Sequence, residues 1–253
     1  LILGLINSYN LIDGIDGMAS IVGIIISSSY GFLFYKLEML YYLAICITMI
    51  AMLFAFLRFN FSPKKKIFMG DTGALVVGLV LGMLTLKLLS LGVSTFSALE
   101  INRKEIPLLM LCILIIPAFD IARVMFIRFN RKNSLFSPDR NHIHHILIDS
   151  GLSHKKASVF VGFLNVIIIL IMFHSIKYFD ITISLAIFVL LILHLMILFF
   201  IMNRGYKTRR RKVKLRNFLF NLFQLVNLSK KKESVNLNKI AFNQKLKSIK
   251  VLL

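Results

Sequence analysis

The sequence predicts an all-α fold, a polytopic transmembrane helical bundle with polar loops gathered at its cytoplasmic face, and three observations carry that expectation. Of 253 residues 58% are hydrophobic, with mean hydropathy +0.81. The apolar residues come in long runs, not at the alternating positions of a soluble core. Basic residues crowd alternate connections between those runs, as the positive-inside rule requires.

A span needs about 20 apolar residues, and six segments qualify, roughly 18–35, 39–57, 72–91, 106–127, 157–176 and 181–202. All should be helices, because lipid tolerates no unpaired backbone polar group. The first ten residues, LILGLINSYN, are apolar but too short to cross a bilayer. They lack a basic leader and a small-residue cleavage site, so they read as the last turns of a span that begins upstream, and the chain as a fragment. Residues 1–202 thus form a transmembrane domain and 203–253 a basic cytoplasmic tail.

With spans alternating, Arg58, Lys64, Lys65 and Lys66 share one side with Arg123, Arg128, Arg131, Lys132, Arg140, Lys155 and Lys156, and with the Lys and Arg of the tail. The opposite connections carry only Lys36, Arg103, Lys104 and Lys177. The formal charge of +20 therefore reports topology and contact with anionic lipid headgroups, not nucleic acid. In the tail, NFLFNLFQLVNL sets Asn217, Asn221, Gln224 and Asn227 every three or four positions. That pattern predicts an amphipathic helix in the headgroup layer, a disordered basic tail being the alternative. Cys46 and Cys112 sit singly in apolar runs and read as packing residues.

The same topology brings three polar motifs to one face. In Asn10-Leu-Ile-Asp13-Gly-Ile-Asp16-Gly, a helix would point one amide and two carboxylates into a common space. Acids at a membrane boundary default to function; a cap at Asp16 with turns at Gly14 and Gly17 would account for only one of them. In Phe68-Met69-Gly70-Asp71-Thr72-Gly73, Asp71 opens an apolar helix. It is either an N-cap or, with Gly70 and Gly73 letting a group approach the backbone, a carboxylate that holds magnesium beside a diphosphate. No Gly-Lys-Ser/Thr follows, so this is not a Walker loop. In Pro138-Asp139-Arg140-Asn141-His142-Ile143-His144-His145, an Arg and three His suit phosphate binding or proton transfer. Zinc is the rival reading, disfavoured by the spacing and by the oxygen ligands of the other two motifs. Asp120 and Arg123, one turn apart, join the site or merely pair with each other; His154, His174 and His194 read as isolated surface or packing residues.

In order and spacing, NLIDGIDGMAS, FMGDTGALVVG, IPAFDIARVMFIR and SPDRNHIHHIL resemble the polyprenyl-phosphate N-acetylhexosamine 1-phosphate transferases, glycosyltransferase family 4. The resemblance runs from about Leu3 to Val159, and the His-Ile-His-His form is similar to the branch that transfers N-acetylglucosamine 1-phosphate. It implies transfer from a UDP-sugar to undecaprenyl phosphate with release of UMP, an early membrane step of cell-envelope polysaccharide synthesis such as O-antigen or teichoic acid linkage units. The enzyme would sit in the inner (plasma) membrane, with Mg2+ or Mn2+ as cofactor and with room for a homodimer. Carried onto this chain, it makes Asp71 the metal ligand and Asp13, Asp16, Asp71 and His144 catalytic. Asn10, Asp120, Arg140, His142 and His145 would bind substrate. Two departures stand out: Ala74 replaces a frequent Ser, and the family's Asp-Asp motif with its downstream Lys lies upstream of anything present here. The chain by itself is therefore expected to be inactive. A carrier with acids at mid-bilayer and a non-catalytic homologue acting as structural partner are the competing classes.

Overall fold

The computed structural model describes residues 2–92, 95–96, 99, 101–130, 132 and 142–205. The chain divides into two units, Leu1–Asn203 and Arg204–Leu253. The amphipathic tail helix expected at 217–227, like Arg140, lies outside the described residues.

The described residues form helices α1 (Ile2–Ile12), α2 (Met18–Lys36), α3 (Leu40–Asn60), α4 (Gly70–Ser90), α5 (Ile106–Ile113), α6 (Ile115–Asn130), α7 (Ile143–Asp149), α8 (His154–Tyr178) and α9 (Ile181–Gly205), with no strand among them. Five are long and apolar enough to cross a membrane, and a sixth span arises if the bent pair α5–α6 is counted as one. The protein is thus an all-α polytopic membrane bundle.

The α2 helix is the most buried span and α9 the least. Buried α2 residues include Val22, Ile26, Tyr30 and Phe34, and α2 packs against α3, α4 and α8. The Tyr30 hydroxyl lies 2.6 Å from the Thr85 hydroxyl, so α2 and α4 share a hydrogen bond away from water. Outward-facing Phe54, Phe163, Leu170, Leu190 and Phe200 are exposed. In water they would form an aggregating surface; in a bilayer they meet acyl chains. Cys46 and Cys112 are free and buried, as packing residues should be.

One expected span is broken. The run 106–127 is not a single helix: α5 stops at Ile113, α6 starts at Ile115, and they bend by 73°. Pro117 supplies the reason, since it cannot donate to the Ile113 carbonyl and its ring crowds that carbonyl in a continuous helix. With Leu114 as the joint, Pro117 falls in the first turn of α6, where no donor is needed, and Ala118 resumes the ladder by donating to the Leu114 carbonyl at 3.1 Å.

The site end of the bundle is positioned by a close helix crossing. On α4, Ala74, Gly78 and Gly82 recur every four residues, and all three are buried. A Cβ added at Gly78 would lie 3.0 Å from the Ile6 Cα, and at Gly82 3.8 Å from Leu5 Cδ1. The small-residue stripe lets α1 and α4 touch at backbone distance, as small residues do in lipid, and so sets Asp71, one turn before Ala74, near the end of α1. Gly78→Val is therefore expected to wedge the pair apart and destabilise the bundle by about 1–3 kcal/mol. Thermal unfolding in detergent micelles measures it, and an unchanged midpoint would disprove the crossing.

Candidate active site

The acidic motif is a turn. Its helix α1 ends at Ile12, one residue before Asp13, and residues 13–17 form a turn, so the two acids do not share a helical face as the sequence suggested. Gly14 and Gly17 explain the correction. Gly17 adopts φ 78°, a left-handed conformation costly for a residue with a Cβ, and it stands before α2 with no side-chain cap. Its N–H donates to Asn60 Oδ1 at 2.5 Å, while Asn60 Nδ2 donates to the Ile67 carbonyl at 2.7 Å. Buried Asn60, which the sequence analysis did not single out, thus ties the acidic turn to the loop before α4.

Asp16 is a junction of three elements. Its Oδ2 meets Lys66 Nζ at 2.7 Å and His154 Nδ1 at 3.0 Å, and its carbonyl accepts from Ser158 Oγ at 2.7 Å. Asp16 therefore caps nothing. His154, expected to stand alone, is instead a partner of Asp16; the separation of 138 residues hides that pairing from any local reading. Lys66 was legible only as one of several loop charges.

Asp13 is half-buried and makes no such ion pair among the described residues. Burial, and then the charges of Asp71 and Asp16, push its carboxyl up to about 6. Asp71 lies exposed in the first turn of α4, where the helix makes no side-chain cap bond, so the N-cap alternative does not hold. Asn10 is half-buried, and its carbonyl accepts the Asp13 N–H at 3.2 Å.

The imidazoles sit opposite. His142 and His144 are buried, and their rings stack with centroids 5.7 Å apart and planes 5° from parallel. The half-buried His145 lies against His144 at 4.2 Å. A Cβ added at Gly14 would overlap the Nε2 and Cε1 of His144, so that ring lies directly on the backbone of the acidic turn. Burial, followed by the neighbouring His145, lowers His144 to about 4, and Asp120 offsets this only in part. The ring is neutral at physiological pH. Asp120, which the sequence offered as substrate-binding, is 1% exposed, and both its oxygens are taken by the protein itself.

These shifts give opposite pH dependences. Asp13 is easier to protonate folded (about 6) than unfolded (3.8), so its contribution to stability is full below about 3.8 and lost as pH rises through about 6. His144, with a folded value about 4 against 6.5, contributes fully above 6.5 and loses that contribution as pH falls toward 4. In divalent-free buffer, Asp13→Asn is expected to be more stable than the parent above pH 6, the difference vanishing below pH 4. Thermal midpoints across pH 4–8 check this, and a variant less stable at pH 7 would contradict it.

Among the described residues no three His, Cys, Asp or Glu converge at metal-ligating range. Magnesium does not need such a cage. It is commonly held by one or two carboxylates, with waters and substrate phosphates completing the octahedron. Asp13 and Asp71, repelling each other across an accessible space, are oxygen donors whose repulsion a divalent cation would relieve, so the residues present fit that ion.

Fold and site together define a multi-pass membrane protein with a polar site, acidic on one side and imidazole-lined on the other, at one end of its bundle. Residues 1–89 match the family model described as glycosyl transferase family 4, and this segment belongs to that family. The chain is 36% identical over 197 residues to a Bacillus subtilis (strain 168) protein named "Probable undecaprenyl-phosphate N-acetylglucosaminyl 1-phosphate transferase", covering 78% of this chain and 52% of that relative. It is 30% identical over 159 residues to the undecaprenyl-phosphate alpha-N-acetylglucosaminyl 1-phosphate transferase of Yersinia pestis, covering 62% and 41%. With the decaprenyl-phosphate N-acetylglucosaminephosphotransferase of Mycolicibacterium smegmatis it shares 29% over 171 residues, 64% and 42%. The chain spans about half the length of the curated relatives it matches.

Proposed function

We propose that the protein transfers N-acetylglucosamine 1-phosphate from its UDP-sugar to undecaprenyl phosphate at the cytoplasmic face of the plasma membrane. The observation that carries this reading is the contact of His144 with Gly14, between Asp13 and Asp16, while the Asp71 charge is felt at Asp13. Acids and imidazoles from distant parts of the sequence thus meet at one end of a membrane bundle, where a headgroup-level phosphate and a soluble nucleotide can both arrive. The relatives' names support the same substrates, and the basic connections on this side support a cytoplasmic location.

In the reaction, an oxygen of the lipid phosphate bonds to the sugar-bearing phosphorus of the donor. The bond from that phosphorus to the oxygen it shares with the uridine-bearing phosphate breaks, and UMP leaves with the electron pair. Asp71, with Asp13 beside it, would hold Mg2+ or Mn2+, which when bound neutralises charge on the diphosphate. Asp16, paired with Lys66 and hydrogen-bonded to His154, fixes the shape of the turn that carries Asp13. His142, His144 and His145 line the anion side, the sequence motif assigns Arg140 to phosphate as well, and Asn10 offers an amide to the nucleotide. Neutral His144 can donate to a phosphate oxygen or accept from it without adding a buried charge.

The test is reconstitution in undecaprenyl-phosphate-containing liposomes, with Mg2+ and a panel of UDP-sugars, of the chain and of a form extended at its N-terminus. Lipid-linked N-acetylglucosamine 1-phosphate and stoichiometric UMP are expected from the extended form. Failure of both forms with every donor would refute the proposal.

A further inference from the structure

Asp120 stands on α6 beyond the Leu114 joint, buried, and makes three polar contacts. Its Oδ1 accepts the Ile143 N–H at 2.8 Å and lies 3.4 Å from Arg123 Nη2, while its Oδ2 lies 2.9 Å from His142 Nδ1. Backbone N–H and guanidinium are obligate donors, so Oδ1 accepts from both. An ionised carboxylate can only accept, so Nδ1 of His142 carries the proton. His142 has no other hydrogen bond among the described residues, which leaves Nε2 as its uncommitted nitrogen. The bond to Ile143 N pins the start of α7, the helix that carries His144 and His145.

We infer that Asp120 is a positioning residue: it never touches substrate but fixes the tautomer and orientation of His142, so that Nε2 keeps its lone pair as the acceptor for a hydroxyl or a protonated phosphate oxygen of the ligand, and it seats α7 against the acidic turn. This rests on the function proposed above. The choice of a carboxylate follows from the chemistry. An Asn could still accept from Ile143 N through its oxygen, but it would then turn an NH2 toward His142. The ring would have to accept at Nδ1, and its proton would move to Nε2. Geometry would survive while the atom offered to the ligand changed its character.

Two measurements test this. In the form of the protein that turns over, Asp120→Asn is expected to lower kcat/KM roughly 10–100-fold, the usual range for a residue that orients a functional His. Combined with His142→Gln it should cost no more than His142→Gln alone, because both remove one device. Multiplying effects, or full activity in Asp120→Asn, would overturn the inference. Independently of turnover, 15N spectra of histidine-labelled protein, with His142 assigned by its absence in His142→Gln, should show a protonated Nδ1. An unprotonated Nδ1 in the parent protein overturns the inference whether or not any variant folds well. If no UDP-sugar is turned over while Nδ1 is protonated, the proposed reaction falls and the Asp120–His142 pairing stands.

Discussion

Asp71→Asn is expected to abolish most turnover, by roughly two to three orders of magnitude, without weakening the fold. The carboxylate is exposed in the first turn of α4 and caps nothing, so its removal leaves no buried partner unsatisfied. It also removes the larger of the two charges that press on Asp13. Above pH 6 the thermal midpoint should therefore hold or rise while activity collapses, a combination that a misfolded variant cannot produce. Manganese binding followed by electron paramagnetic resonance should weaken at least about tenfold in step, since one of the two proposed oxygen ligands has become a poor donor. Full activity in Asp71→Asn would remove the assignment of the metal to this helix.

The second large effect is expected from the smallest change. Gly14 is exposed, yet a methyl group there would overlap the His144 imidazole. The ring is buried, stacked on His142 and packed by His145, so it cannot simply swing outward. Gly14→Ala should push the acidic turn and the imidazole loop apart by about an ångström, which in a reacting centre costs on the order of a hundredfold in rate. The stability cost should be modest, about 1 kcal/mol or a few degrees of midpoint, because the turn itself faces solvent. Gly14→Ala with His144→Ala removes the clash and should recover the midpoint but not the turnover. If Gly14→Ala alone were as active as the parent, the two motifs would not meet in the working enzyme.

Much of the fold was legible because lipid imposes a simple rule. Apolar runs of membrane length must be helices, and the observed α2, α3, α4, α8 and α9 fall within a few residues of the expected spans. The break at Leu114 escaped because hydropathy counts apolar side chains and is blind to a missing backbone donor, although Pro117 was in plain view. The acidic turn, weighed in the sequence only as the alternative to a helix, was passed over for a related reason. A spacing of three residues suits a helix face as well as a glycine-bent turn, and only the left-handed Gly17 decides between them.

The site divides in the same way. Residue types and their grouping were written locally: Asp13 with Asp16, Asp71 with its flanking glycines, and the His142 to His145 cluster each announce anion or cation chemistry to a reader of ten residues. What those residues do to one another was not written there. That Asp16 pairs with Lys66 and His154, that Asp13 is the acid pushed up by burial and by its neighbours, and that Asp120 serves His142 instead of forming only a local pair with Arg123 all depend on partners 22 to 138 residues away. Sequence by itself determined which groups reach the membrane surface, because burial in lipid is a property of each segment. The tertiary structure alone decided their charge states and pairings, because Coulomb and hydrogen-bond energies depend on distances of a few ångströms that only packing sets.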